Sequence, residues 1–115
     1  VDKIEKELRK NNIYSHRYVA SAHKKTRTVL GLIEKYENRG GKIVWITVAG
    51  RSNALSGVVA ANSKFPVIAC PPFKDKLDMM VNINSSIQCP SKVPVATILE
   101  PGNVALVIRN IFNLQ

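Results

Sequence analysis

Residues 43–62, Ile43-Val44-Trp45-Ile46-Thr47-Val48-Ala49-Gly50-Arg51-Ser52-Asn53-Ala54-Leu55-Ser56-Gly57-Val58-Val59-Ala60-Ala61-Asn62, decide the fold. A run of apolar and β-branched residues meets a glycine, then three polar residues, then a run of small ones. This order predicts a strand over 43–48, a turn at Gly50, and a helix from about residue 52 to 62. A turn of this kind aims backbone N–H groups at whatever lies above the strand end, and an oxyanion suits that position. Arg51, Ser52 and Asn53 add polar groups to the same turn. Ser52 or Asn53 serves equally well as an ordinary helix N-cap.

The same alternation extends in both directions. Residues 1–10 carry Ile4 and Leu8 at i, i+4 and predict the latter part of an amphipathic helix, stopped by Asn11-Asn12. Ile13 to Ala20 predicts a strand with Tyr14, His16 and Tyr18 on one face and Ser15, Arg17 and Val19 on the other. Ser21-Ala22-His23-Lys24 is the turn after it. Residues 25–38 predict a helix ended by Arg39-Gly40-Gly41. Val67-Ile68-Ala69 predicts a short strand closed by Cys70-Pro71-Pro72, where two prolines forbid helix or ladder. A helix over 75–86, a strand over 95–99 and a helix over 102–112 complete the chain. Strands alternating with helices imply a three-layer α/β/α domain, a doubly wound parallel sheet covered on both faces. In such sheets ligands bind outside the carboxyl ends of the strands. The turns at 21–24, 50–57, 70–74 and 99–103 are therefore where chemistry is expected.

A chain of 115 residues is one domain by length. The opening helix has no strand before it, so residues 1–115 are expected to be an N-terminally incomplete domain lacking its first strand and loop. The net charge of +9 invites a nucleic-acid partner, yet Lys and Arg are spread from Lys3 to Arg109 without a long block. The few aromatic residues do not interleave with them as stacking platforms. A field that attracts a small phosphorylated substrate accounts for the charge better. No apolar run reaches the roughly 18 residues of a membrane span, and the charged start does not resemble a signal peptide. Cys70 and Cys89 lack metal-ligand spacing, so no metal site is expected. Two free thiols fit a reducing compartment, and the cytoplasm is the expected location.

His23 is the candidate for proton transfer, because it sits in a turn at a strand's carboxyl end and imidazole is the side chain most readily poised near neutrality. His16, in mid-strand, reads as structural. Cys70 reads as a small buried residue, Met79-Met80 as core or subunit contact, and Asp75 and Asp78 as helix N-terminal charges.

Taken together, Ser21-Ala22-His23-Lys24, Ala49-Gly50-Arg51-Ser52-Asn53-Ala54-Leu55-Ser56-Gly57 and Pro66-Val67-Ile68-Ala69-Cys70-Pro71-Pro72 resemble, in order and spacing, the aminoimidazole ribonucleotide (AIR) carboxylases of purine biosynthesis, the PurE-type family. Ser85-Ser86-Ile87-Gln88-Cys89-Pro90-Ser91 is similar to a later segment of that family. One class of the family rearranges a carbamate and carries Ser-Ala-His-Arg with a Gly-Gly-Ala-Ala-His turn. The other adds carbon dioxide to AIR directly and carries Ser-Ala-His-Lys with Ala-Gly-Arg-Ser-Asn. Lys24 and Arg51-Ser52-Asn53 resemble the direct class.

The resemblance implies a flavodoxin-like fold and His23 as general acid and base. It also implies substrate binding by Ser21, Ala22 and Lys24, with Ser21 and Lys24 at the ribose-phosphate. Gly50 and the amides that follow, through Ser52 and Asn53, would hold the carboxylate or carbon dioxide, with Ala54 and Leu55 lining the wall. Arg51 serves either substrate or a structural ion pair. No cofactor is implied, since carbon dioxide is already the electrophile. The implied partners are AIR, carbon dioxide and further copies of the chain in a homo-octamer, with neither nucleic acid nor membrane. The family's Gly-Ser-x-Ser-Asp loop is absent from residues 1–115. Two other functions stay open: the carbamate mutase of the sister class, and a non-catalytic α/β module that binds a nucleotide or assembles with like subunits.

Overall fold

The computed structural model of the protein describes residues 1–50 and 53–114. Its elements are α1 (Asp2–Lys10), α2 (Thr26–Arg39), β1 (Trp45–Thr47), α3 (Ala54–Asn62), β2 (Val67–Ala69), α4 (Lys76–Ile87), β3 (Ala96–Thr97) and α5 (Pro101–Asn113). The strands form a parallel sheet in the order β1-β2-β3. Trp45 pairs with Val67, Ile46 with Ile68 and Thr47 with Ala69, while Ile68 and Ala69 pair with Ala96 and Thr97.

The pleat sends alternate side chains to opposite faces, and two cores result. On one face Ile68 and Cys70 pack with Ile4 and Leu8 of α1 and Val104, Ala105 and Ile108 of α5, with Val44, Ile46 and Val48 against them. On the other, Val67 packs with Val29 and Ile33 of α2 and Val59 and Ala60 of α3, joined by Trp45 and Leu55. β2 is buried along its whole length, as a central parallel strand covered on both faces must be. The expected doubly wound, flavodoxin-like α/β architecture is therefore present.

Local chemistry sets the helix ends. α1 carries Asp2 and Glu5 in its first turn and Arg9 and Lys10 in its last, each complementing the helix dipole. Pro101 opens α5, where its missing N–H removes nothing. Gly40 ends α2 at φ 76°, a left-handed conformation that glycine adopts without strain.

The strand expected over Ile13–Ala20 is not formed. Its alternation is nevertheless there. Tyr14, His16 and Tyr18 turn toward α2, where the His16 and Tyr18 rings lie 5.7 and 5.9 Å from Tyr36, and Tyr36 lies 6.0 Å from Trp45. Arg17 points the opposite way and pairs with Asp2 and Glu5 of α1. What the segment lacks is a ladder partner. Tyr14 is 86% and Val19 93% exposed. Between this segment and the outer edge of β1 lies a groove of about 550 Å³, lined by Ile13, Ile33, Tyr36, Trp45, Ile46 and Phe112 among others. An extended segment without a neighbour to satisfy its N–H and C=O groups is not a strand, whatever its side-chain period. The strands expected over 43–48 and 95–99 are likewise shortened, to Trp45–Thr47 and Ala96–Thr97.

Candidate active site

All three strands end on the same side, because they are parallel. Val48–Gly50, Cys70–Phe73 and Ile98–Glu100 leave the sheet there. α2 brings the chain through Gly40-Gly41 to the amino end of β1. It is 14 residues, about 21 Å, long, and Ser21–Lys24 precede its first turn.

A buried polar network organises the turn between β1 and α3. Thr47 and Ser56, both buried, share a hydrogen bond of 2.6 Å. Asn53 caps α3: its Oδ1 accepts from the Ser56 amide at 3.2 Å. Its Nδ2 donates to Ser56 Oγ at 2.9 Å and to Ser86 Oγ at 3.0 Å, and its backbone N–H donates to Ser85 Oγ. Asn53 thus fulfils the N-cap expectation and also ties the turn to α4. Asn53→Ala removes the cap and leaves the buried Ser86 hydroxyl without its donor. We expect a stability loss of about 2 kcal/mol, read as a lower urea midpoint at unchanged slope.

On the other flank of the turn, Gly50 lies against Asn82 of α4. A methyl group on Gly50 would sit 3.6 Å from both Nδ2 and Oδ1 of that amide, an ordinary contact. Gly50 also has no positive φ. Among the described residues, neither packing nor backbone conformation demands glycine there. Ala54 borders a shallow depression between α3 and α4, with Asn53, Val81, Asn84, Ser85 and Gln88. Leu55 faces the other way, into the core between α2 and α3.

The Ser21–Lys24 turn is held by its own bonds. Ser21 Oγ accepts from the Lys24 amide at 3.2 Å, the Ser21 carbonyl accepts from the Lys25 amide at 2.8 Å, and Thr26 Oγ1 donates to the Ala22 carbonyl. Ser21 and Ala22 are half-buried, while His23 and Lys24 are exposed. The first turn of α2 holds no acidic residue, and Lys24, Lys25 and Arg27 surround it. The positive end of the helix dipole is thus reinforced rather than neutralised, which favours an anion. Among the described residues no hydrogen bond joins this turn to Gly50 or Asn53. Arg51 and Ser52 lie outside the described residues.

Cys70 is buried, with its Sγ 3.7 Å from the Leu99 carbonyl, and burial pushes its thiol pKa up, as suits an inert core residue. Asp75 caps α4 through a 2.8 Å bond from the Asp78 amide, as its position predicts. Met80 is exposed rather than core. Among the described residues no three His, Cys, Asp or Glu side chains cluster as metal ligands would. Nor, among the described residues, is any helix long and apolar enough to cross a membrane.

Sequence reasoning passed over Asn82. The signal was available: Asn82, Ser85 and Ser86 stand at i, i+3 and i+4, a polar stripe on the helix face that turns inward. Asn82 and Ser86 are buried.

The family model described as AIR carboxylase matches residues 1–115. A phosphoribosylaminoimidazole carboxylase of Archaeoglobus fulgidus is 50% identical over 97 residues, covering 84% of this chain and 52% of that protein. One from Treponema denticola is 41% identical over 113 residues, covering 98% and 70%. The mouse bifunctional phosphoribosylaminoimidazole carboxylase/phosphoribosylaminoimidazole succinocarboxamide synthetase is 36% identical over 114 residues, 99% of this chain and 27% of that protein. The crystal structure of Treponema denticola PurE superposes with a TM-score of 0.90 at 40% identity, covering 98% of this chain and 71% of that one. The chain therefore spans about half the length of the Archaeoglobus relative and about 70% of the Treponema relative.

Proposed function

The chain belongs to the AIR carboxylase family, and from that membership we propose that the protein carboxylates AIR at C4 with carbon dioxide, in the manner of the direct class. The observation that carries the class assignment is the joint presence in the sequence of Lys24, just before α2, and Arg51-Ser52-Asn53, between β1 and α3.

The aminoimidazole is an enamine-like nucleophile. Its C4 attacks carbon dioxide, and the C4 proton must then leave; reversal returns it. His23 is the group that takes and returns that proton. Its exposed position at the head of α2 leaves the imidazole free to meet a ligand. Lys24 supplies counter-charge to the phosphate beside a helix N-terminus that bears no acidic residue, and the Ser21 hydroxyl, already accepting from the Lys24 amide, keeps its proton to donate to the ribose-phosphate. Ala22 shapes the same segment. Gly50 and the turn amides that follow it, through Ser52, hold the nascent carboxylate, with fixed dipoles acting where charge develops, while Asn53, whose own N–H is bonded to Ser85, braces the turn. Ala54 belongs to the wall of that turn, Leu55 backs it from the core between α2 and α3, and Arg51 pairs either with substrate or with a protein carboxylate. No cofactor enters this scheme.

The edge groove beside β1 belongs to the same reading: in the whole protein a further strand occupies it, pairing β1 on one side and residues 13–20 on the other. Assembly of copies into an octamer and residence in the cytoplasm complete the proposal.

The test is a choice of substrates. Protein given AIR and bicarbonate-derived carbon dioxide is expected to form carboxylated product, and protein given the N5-carbamate is expected not to. Faster conversion of the carbamate would move the chain to the mutase class. Binding of AIR without turnover of either would leave a nucleotide-binding module.

A further inference from the structure

Asn82 is 3% exposed, in the second turn of α4, and stands between two strand ends. Its Nδ2 donates to the Pro72 carbonyl in the turn after β2. Its amide also packs against Gly50 in the turn after β1. Because a carbonyl can only accept, the bond to Pro72 fixes which end of the amide is nitrogen. Oδ1 is then left buried, with no partner among the described residues. A buried acceptor without a donor is destabilising, and native proteins seldom keep one without use. Ser85 and Ser86, on the same stripe of α4, are by contrast both occupied by Asn53. One position of a three-residue clamp on the β1–α3 turn is thus open, and it is the position beside Gly50.

We infer that Asn82 is a positioning residue of the site, and that its Oδ1 takes an N–H donor only when ligand is bound. This rests on the proposed function and adds to it a residue that the family resemblance did not assign. The donor is either the backbone amide of Gly50, the turn residue that lies against Asn82, or the exocyclic amino group of AIR. The second source has a chemical logic. AIR presents an amino group next to the carbon that acquires a carboxylate, and the protein presents an acceptor, Asn82 Oδ1, next to the amide donors expected at Gly50.

The experiment compares Asn82→Leu with Asn82→Asp. Both lose the bond to Pro72, and only the aspartate keeps an oxygen acceptor, so a difference between them belongs to Oδ1. Dissociation constants and kcat are measured for AIR, and dissociation constants for the imidazole ribonucleotide that lacks the amino group. N82L is expected to bind AIR about tenfold more weakly, the value of one hydrogen bond, and N82D to recover most of that loss. The melting temperature of ligand-free N82L is expected to stay near that of the unaltered protein, since removal of the unpaired acceptor offsets loss of the bond to the Pro72 carbonyl. If the amino group is the donor, N82L binds the analogue as the unaltered protein does. If a turn amide is the donor, both ligands weaken by the same factor. Equal losses in N82L and N82D, or no loss in N82L, would overturn the inference while leaving the proposed function intact. Failure of the unaltered protein to bind AIR would instead remove the proposed function, and the inference with it. Should N82L fold poorly, Asn82→Ala gives the same comparison with a smaller side chain.

Discussion

His23→Asn is expected to reduce turnover of AIR at least about a hundredfold while leaving AIR bound and the fold intact. Asparagine retains the size and hydrogen-bonding character of the side chain and loses only the capacity to exchange a proton. The imidazole is exposed, and the turn that carries it is held by Ser21, Ala22, Lys25 and Thr26 through bonds that do not involve the ring. Neither the melting temperature nor the AIR dissociation constant should therefore move appreciably, and the whole effect should appear in kcat. A variant that turns over normally would take His23 out of the mechanism. A variant that loses AIR binding in proportion to activity would make His23 a binding residue instead. His16 supplies the internal control. It packs between Tyr14 and Tyr36, with ring centroids at 5.0 and 5.7 Å, so its replacement should touch stability before it touches kcat.

Ile68→Ala is expected to have the largest effect on stability, about 2–5 kcal/mol. Ile68 is 1% exposed at the centre of the middle strand, paired on both sides by Ile46 and Ala96, and packed between α1 and α5. No neighbour is free to collapse into the space that its side chain leaves. Against a typical domain stability of about 5–15 kcal/mol, such a loss takes a large share of the total. Urea unfolding with an unchanged slope would measure it. Ile46→Ala, on the outer strand and half-buried beside the edge groove, should cost less. Equal costs at the two positions would mean that the sheet is not organised around β2.

Most of the fold was legible because the relevant signals are local. Val67–Ala69 reads as a strand from its apolar run and its closing prolines, and it is one. Ile4 with Leu8, and Val29 with Ile33, reveal the buried faces of α1 and α2 at helical spacing. The Ile13–Ala20 segment shows where local signals stop. Its period-2 pattern correctly places the aromatic side chains on one side and Arg17 on the other. Strand formation, however, depends on a neighbouring backbone, and no property of those eight residues reports whether one is there. The candidate site divides in the same way. Asn53 as cap and Gly50 at a strand end follow from type and order. The clamp from α4 joins residues some thirty positions apart, and only the folded chain brings Asn82 against Gly50 and Ser86 against Asn53. The Ser21–Lys24 turn and His23 were legible from where the alternating segment ends, the substrate-binding roles came from resemblance, and the folded chain adds a helix end left positive.

The single tryptophan of the chain, Trp45, lines the groove at the sheet edge, with its indole N–H bonded to Ser63 at 3.0 Å and its ring 6.0 Å from Tyr36. That placement makes the molecule its own optical gauge. A segment laid along β1 would cover the indole face now turned to the groove, shifting its emission to shorter wavelength, with tyrosine-to-tryptophan energy transfer available as a second channel. Occupancy of the sheet edge can thus be followed in solution without a label, separately from any assay of chemistry.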